Sequence, residues 1–407
     1  MKRLLFITAL FFLFSSYSQQ NDWDKRAPFL GGKRTQAIGF SIGDFGYLGS
    51  GVDTAEMTHN DLWKFDPALN LWTQVASMPA STRRCASAIT IDDKAYVGLG
   101  ADSASSWAGT ILNDWWQYDA VGNSWTQKTA YPGGYNYINT YYGPGVYYAT
   151  AFSLNGKGYV CGGKMGGDLY AADLWEYDPI LDTWTRMADF PGLDRYQLSS
   201  FALEGKGYVG MGVDHDLYNK DWWQYDPNTD TWVEVSSLPG VERGSASTFV
   251  IGQRGFVVFG SDGGYKDELW EYNPFTDSWQ IRANFPGDGR KNGVAFTVGD
   301  SAYAGTGKGA SGKRRSFYRY YPLLPVGVEE TFVDFKLFPN PTADFVTISG
   351  LTDVNIQLEI VDLKGVLVFK SNAKTIDLST VESGSYIVNI FNQDHQHLIT
   401  KKLIVNK

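Results

Sequence analysis

The 407-residue sequence is 43 % hydrophobic and 15 % aromatic, with 45 glycines and only 19 % charged residues, which excludes a disordered chain and argues against a helical bundle. A net charge of −9 repels phosphate backbones and sets nucleic acid aside as a partner. Two cysteines, with histidines only at His59, His215, His395 and His397, leave too little for a disulfide scaffold, a four-cysteine zinc site or extended histidine metal chemistry.

The first element is a leader. Met1-Lys2-Arg3 precedes an apolar run from Leu4 to Phe14, followed by small Ser16 and Ser18. The run is shorter than the roughly 20 residues of a membrane span. Residues 1–18 therefore read as a secretory signal peptide cut after Ser18. No later segment is apolar enough to span a membrane, so the mature chain is expected to carry no transmembrane segment.

Residues 19–322 repeat. Pairs of tryptophans lie nine apart: Trp63 and Trp72, Trp116 and Trp125, Trp175 and Trp184, Trp223 and Trp232, Trp270 and Trp279. An aromatic precedes each second Trp by seven residues, and turns such as Asp226-Pro227-Asn228-Thr229-Asp230 lie between. Each such hairpin follows another, built of small residues around a two-residue turn such as Asn155-Gly156. The unit thus has four strands, a to d, and the first Trp recurs after 53, 59, 48 and 47 residues. Tyr318 takes the Trp position of a sixth unit that lacks strand d. The segment Asn21-Asp22-Trp23-Asp24-Lys25-Arg26 has strand-d character and is expected to complete that unit, removing an exposed sheet edge. The ten paired tryptophans are expected to pack blade against blade.

These spacings resemble kelch repeats, and the resemblance implies a six-bladed all-β propeller. Kelch strand b usually ends in Gly-Gly, which only Gly162-Gly163 keeps, so the chain reads as a divergent branch. The b–c connections (52–60, 101–113, 164–172, 213–220, 261–267 and 308–316) differ in every unit, so the b–c/d–a face is the expected binding face. Two features there are candidate ligand-binding residues. Arg34, Arg83, Arg195, Arg243 and Arg290 recur ahead of strand a, with Val146 in the third unit. They form either a ring of forks for carboxylates or acidic sugars, or ties between blades. The unrepeated segment 133–145 carries Tyr135, Tyr137, Tyr141 and Tyr142, side chains suited to glycan or protein contact.

Catalytic patterns are missing: the sequence shows no nucleophile elbow, P-loop, zinc spacing or dinucleotide fingerprint, and no cofactor or metal is expected. Some kelch propellers are copper radical oxidases, but this one holds only His59 and His215. A binding or adhesion module for a protein or glycan is the leading expectation. The enzymatic alternative is a propeller similar to sialic-acid mutarotases, with Glu56 or Glu242 serving beside the arginines. Acidic loops at Asp214, Asp216, Asp262 and Asp267 show no spaced calcium ligands, and Cys85 and Cys161 are not expected to pair.

A linker, 323–332, leads to short alternating strands over 333–407, expected to form a small Ig-like β-sandwich. Phe338-Pro339-Asn340-Pro341, Asp362-Leu363-Lys364-Gly365, Gly384-Ser385-Tyr386 and the terminal Lys401-Lys402-Leu403-Ile404-Val405 resemble the type A C-terminal sorting domain of type IX secretion. The resemblance implies the export machinery as a partner of 333–407, with Pro339, Asn340, Pro341, Gly365 and Gly384 carrying the motif. It places the protein outside the cell or on the outer-membrane surface.

Overall fold

The computed structural model describes residues 21–104, 109–134, 143–167, 169–322, 336–349, 357–362, 367–391 and 397–407. The leader, the linker, Tyr135, Tyr137, Tyr141, Tyr142 and Gly365 lie outside them. The chain divides into two compact units, Met1–Pro322 and Leu323–Lys407.

The first unit holds six four-stranded antiparallel sheets among its described residues. Blade 1 runs Ile38–Ile42, Phe45–Gly49, Leu62–Asp66 and Leu71–Val75 as strands a, b, c and d. Strand a alternates, burying Ile38, Phe40 and Ile42, while strand b is buried almost throughout. That difference is what a radial sheet requires, since its second strand is covered on both faces by neighbouring blades. Blades 2 to 5 begin at Ser87–Ile91, Thr150–Leu154, Ser199–Leu203 and Gly244–Ile251. The first turn residue between strands a and b is left-handed in every blade, including Asp92 and Glu204 as well as Gly43.

Blade 6 is assembled from both ends of the unit. Val294–Val298, Ser301–Gly305 and Phe317–Tyr321 supply strands a, b and c, and Asp22–Arg26 supplies strand d. Asp22 pairs with Tyr321 and Arg26 with Phe317. The innermost strands pack in chain order, and Ile38–Ile42 also packs on Val294–Val298, so the ring is closed.

The second tryptophans lock neighbouring blades. The indole N–H of Trp72 donates to the Ala27 carbonyl at 3.0 Å, Trp125 to Ala76, Trp184 to Thr129, Trp232 to Ala188, Trp279 to Ser236 and Trp23 to Ala283. Each bond reaches the end of strand d in the preceding blade. The same six backbone segments donate back to an Asn or Asp two residues before each Trp, as Ala76 N–H does to Asn123 Oδ1 at 2.9 Å.

The second unit is a two-sheet sandwich. One sheet holds Lys336–Phe338, Phe345–Ser349 and Thr375–Asp377; the other holds Gln357–Val361, Leu367–Ser371, Gly384–Phe391 and His397–Val405. Val346, Ile348 and Ile376 of the first meet Leu358, Ile360, Val388, Ile390, Leu403 and Val405 of the second in one core. Two short strands, Lys336–Phe338 and Thr375–Asp377, were not legible as strands beforehand. The motif residue Asn340 accepts the Ile404 N–H at 2.9 Å, which ties the Pro-Asn-Pro turn to the last strand.

Candidate functional site at the channel mouth

Strands a of the six blades surround a cavity of about 470 Å³. Its lining carries no charged residue and mixes small side chains such as Ser41, Ala88, Thr90 and Thr248 with larger apolar ones such as Phe40 and Phe152. Several hydroxyls are engaged with neighbouring strands: Thr90 donates to the Ser41 carbonyl at 2.7 Å, Thr248 to Ser200 and Thr297 to Val250.

Where the chain enters strand a, one residue per blade is left-handed: Gln36, Cys85, Tyr148, Gln197, Ser245 and Asn292, with φ between 52° and 59°. None is glycine, so each carries a cost on the order of 1 kcal/mol. A cycle of backbone bonds offsets it. Cys85 N–H donates to the Gln36 carbonyl, Tyr148 to Cys85, Gln197 to Tyr148, Ser245 to Gln197, Asn292 to Ser245 and Gln36 to Asn292, all at 3.0–3.1 Å. This closed ring forms the channel mouth on the b–c/d–a face.

The ring side chains converge on one hydroxyl. Tyr148 Oη accepts from Gln36 Nε2, and from Asn292 Nδ2 at 3.4 Å, so groups from blades 1, 3 and 6 meet across the opening. Burial raises the Tyr148 phenol well above its ordinary value, and it raises the adjacent Cys85 thiol to about 11. A row of tyrosines adjoins Tyr148, with Tyr147 and Tyr170 buried. Tyr148 touches Tyr147 and Tyr196, and Tyr196 stacks on Tyr170 at 5.2 Å with 10° between planes. Lys164 lies over Tyr170 and Tyr196, and the buried Arg84 lies over Tyr147.

Two family models match the chain. Residues 145–191 match the Kelch motif, and residues 336–406 match the secretion system C-terminal sorting domain. Among solved structures, one titled "Structure of YjhT" aligns with TM-score 0.58 and 17 % identity, over 70 % of this chain and 94 % of that one. No curated protein sequence matches. The chain carries a Kelch motif and a type IX C-terminal sorting domain, and its first unit has a propeller fold.

The five repeated arginines of the kelch unit are not a ligand clamp in this structure. Arg34, Arg83, Arg195, Arg243 and Arg290 are at most 3 % exposed. Arg34 grips Asp61, Arg83 grips Asp114 through two bonds of 2.7 Å, Arg195 grips Asp221, and Arg243 reaches Glu268 at 2.5 Å. Each of the five also donates to a carbonyl at or just past the end of strand b, such as Leu99 for Arg83. An acid-binding mouth needs accessible guanidiniums, and burial against these carbonyls leaves none. The acid partner sits two residues before the first Trp of its blade, and in blades 1, 2 and 4 it also accepts that indole N–H.

Two blades break the pairing. Blade 6 keeps Arg290 but has Ser316 at the acid position, so the guanidinium contacts Ser316 Oγ at 3.3 Å and rests on Phe285. Burial lowers its pKa to about 10. Blade 3 keeps Asp173 but has Val146 at the arginine position. Asp173 Oδ2 accepts Trp175 Nε1 at 2.6 Å, while Oδ1 and the neighbouring Tyr131 hydroxyl are buried without a partner among the described residues. Burial raises the Asp173 carboxyl above the ordinary carboxylate range. A raised folded-state pKa means that ionisation opposes folding. The resulting penalty is absent below the unfolded-state pKa of about 3.9 and grows as pH rises through the folded value. Asp173→Asn is therefore expected to be more stable than the parent at pH 7 by about 1–2 kcal/mol, with the gap closing near pH 4. Urea unfolding from pH 4 to pH 8 checks this, and a constant gap would contradict it.

Other expected site residues are dispersed. Glu56 is 70 % exposed and bound to Lys313 at 2.6 Å, and Glu242 is exposed. His59 bonds Asp53 at 3.0 Å in blade 1. His215 meets Tyr170 edge-on, and one ligand atom each from Asp194, Asp214 and His215 lies within 4.8 Å of the others. Sequence reading missed that grouping because Asp194 and Asp214 belong to different connections, 20 residues apart. Cys85 and Cys161 are buried free thiols. The mouth ring was missed as well, although aligning the residues two before each inner strand of blades 1 to 4 and 6 reveals most of its positions.

Proposed function

We propose that the protein is an exported glycan-binding propeller whose ligand sits at the Tyr148-centred mouth. Export follows from the sorting domain, which supports secretion or a cell-surface location and an interaction of the tail with the type IX machinery. Removal of residues 1–18 belongs to the same reading. The observation that carries the binding role is the convergence of Gln36, Asn292 and Tyr148, flanked by the Tyr147, Tyr196 and Tyr170 row. Amides and phenols offer both donors and acceptors to sugar hydroxyls, and stacked tyrosines offer flat apolar faces. An isomerase of acidic sugars similar to the expected alternative would use a carboxylate, Glu56 or Glu242, beside the repeated arginines. Glu56 is held by Lys313 and the repeated arginines are sealed, so the geometry favours binding.

The test is a glycan array with the exported chain, residues 19–407, followed by titration of each hit. Tyr148→Ala should weaken a hit at least about tenfold, or 1.4 kcal/mol. Unchanged affinity in that variant, or an empty array, would overturn the reading. Proton-exchange NMR of a bound anomer should show no acceleration; acceleration would replace binding with catalysis.

A further inference from the structure

In blade 6 the connection between strands b and c pairs with the segment that enters strand a, giving a small three-stranded sheet of Arg290–Lys291, Lys308–Gly309 and Gly312–Lys313. Its register sets Lys291 opposite Lys308, and Lys308 opposite Lys313. Direct cross-strand partners share a face of the sheet, with β-carbons about 5 Å apart, and like charges placed this way repel. Three ammonium groups therefore stand in one row.

Nearby charges are accounted for except at the centre of this row. Lys313 is held by Glu56 and the Asp53 carbonyl, Arg314 by Asp288, and Lys266 by Asp262. Lys291 and Lys308 have no carboxylate or hydrogen-bond partner among the described residues. Arg290, directly before Lys291, is the one member of the arginine set whose acid position holds a serine. Desolvation first, then Lys308, lowers the Lys291 pKa. Positive charge is thus concentrated here without compensation, on a chain whose net charge is −9.

The row adjoins the mouth. Lys291 is bonded in sequence to Asn292, whose amide reaches Tyr148. We propose that Lys291 and Lys308 form an anion subsite for the carboxylate or sulfate group of an acidic glycan. This rests on the glycan-binding reading above, with the amides and phenol taking hydroxyls and the lysines taking the charge. Ammonium groups act as point charges, so either anion satisfies the row. A bound anion would also relieve the cross-strand repulsion.

The experiment titrates residues 19–407 with a galacturonate oligomer, a sulfated dextran oligomer and neutral dextran of matched length. The variants are Lys291→Gln/Lys308→Gln, Lys291→Arg/Lys308→Arg, Tyr148→Ala and a control, Lys94→Gln/Lys206→Gln. Circular dichroism and urea midpoints confirm that each is folded. The proposal expects at least one acidic oligomer to bind the parent, with affinity falling as ionic strength rises from about 0.05 M to about 0.3 M. The glutamine pair should lose that binding at least tenfold, while the arginine pair and the control keep it. Which oligomer binds tells carboxylate from sulfate. No acidic binding in the parent, unchanged affinity in the glutamine pair, or equal loss in the control would each overturn the subsite. If Tyr148→Ala leaves acidic binding intact while the glutamine pair abolishes it, the subsite stands and the mouth reading fails.

Discussion

Arg83→Ala should lower the stability of the propeller by about 3–5 kcal/mol, the range seen when one partner of a buried ion pair is removed. Arg83 has no exposed surface, and its loss would leave Asp114, the Leu99 carbonyl and the Ser81 carbonyl without their shared donor. Burial works against the Asp114 charge, yet the Arg83 bonds hold its carboxyl below the ordinary range. A lowered folded-state pKa gives stability that is present above the unfolded value of about 3.9 and is lost as pH falls through the folded one. The deficit of Arg83→Ala should therefore shrink in acid. Arg290→Ala supplies the contrast: with a serine in place of the acid, its loss should cost about 1–2 kcal/mol. Urea unfolding of both variants at pH 7 and at about pH 3, below the unfolded value, measures the difference. Equal losses would show that the carboxylate adds nothing beyond the carbonyl contacts.

Trp23→Ala should be the most disruptive of the tryptophan truncations, costing about 3–5 kcal/mol for the buried ring alone. Trp23 is 7 % exposed, packs on Phe285 and Tyr320, and donates to the Ala283 carbonyl of blade 5. It is also the anchor of a strand that joins its sheet only through non-covalent contacts at distant sequence positions. Loosening that strand uncovers the edge formed by Phe317–Tyr321, a template for pairing with another molecule. Trp125→Ala removes the same kind of indole bond, from strand d of blade 2 to Ala76 of blade 1, but in blade 2 the chain connects strands c and d covalently. Limited proteolysis and size-exclusion chromatography should show residues 21–29 cleaved and the protein self-associated in the first variant only. Matching behaviour in both would contradict the edge argument.

What the sequence revealed follows from how each feature is encoded. The four-stranded unit was legible because Trp, Tyr and the Asp-Pro turns recur at short fixed distances. The borrowed strand was legible because Asn21-Asp22-Trp23 repeats the Asp182-Thr183-Trp184 pattern closely enough to betray its role. The arginine partners were harder to see. Asp61 lies 27 residues from Arg34 and Asp114 lies 31 from Arg83, so the pairs share no fixed sequence separation. What fixes them is the place of the acid on the way into strand c. The mouth ring was least legible, since Gln36, Cys85, Tyr148, Gln197, Ser245 and Asn292 have no common side-chain chemistry. They share only a backbone conformation, and that conformation is enforced by the neighbouring blade's carbonyl. The lysine row depends on strand register in a connection whose sequence has no counterpart in the other blades.

The pairing of Asp22–Arg26 with Phe317–Tyr321 also sets a clock. Nearly 300 residues separate the partners Asp22 and Tyr321, so this contact is among the most non-local in the chain. Such contacts form slowly, because loop entropy is surrendered before they return any stability. Ribosomes make the segment early, yet its seat does not exist until blade 6 has been synthesised and folded. Through that interval the propeller is an open arc with two unsatisfied ends, dependent on whatever keeps it from joining its neighbours. The first strand to be made is the last to be placed.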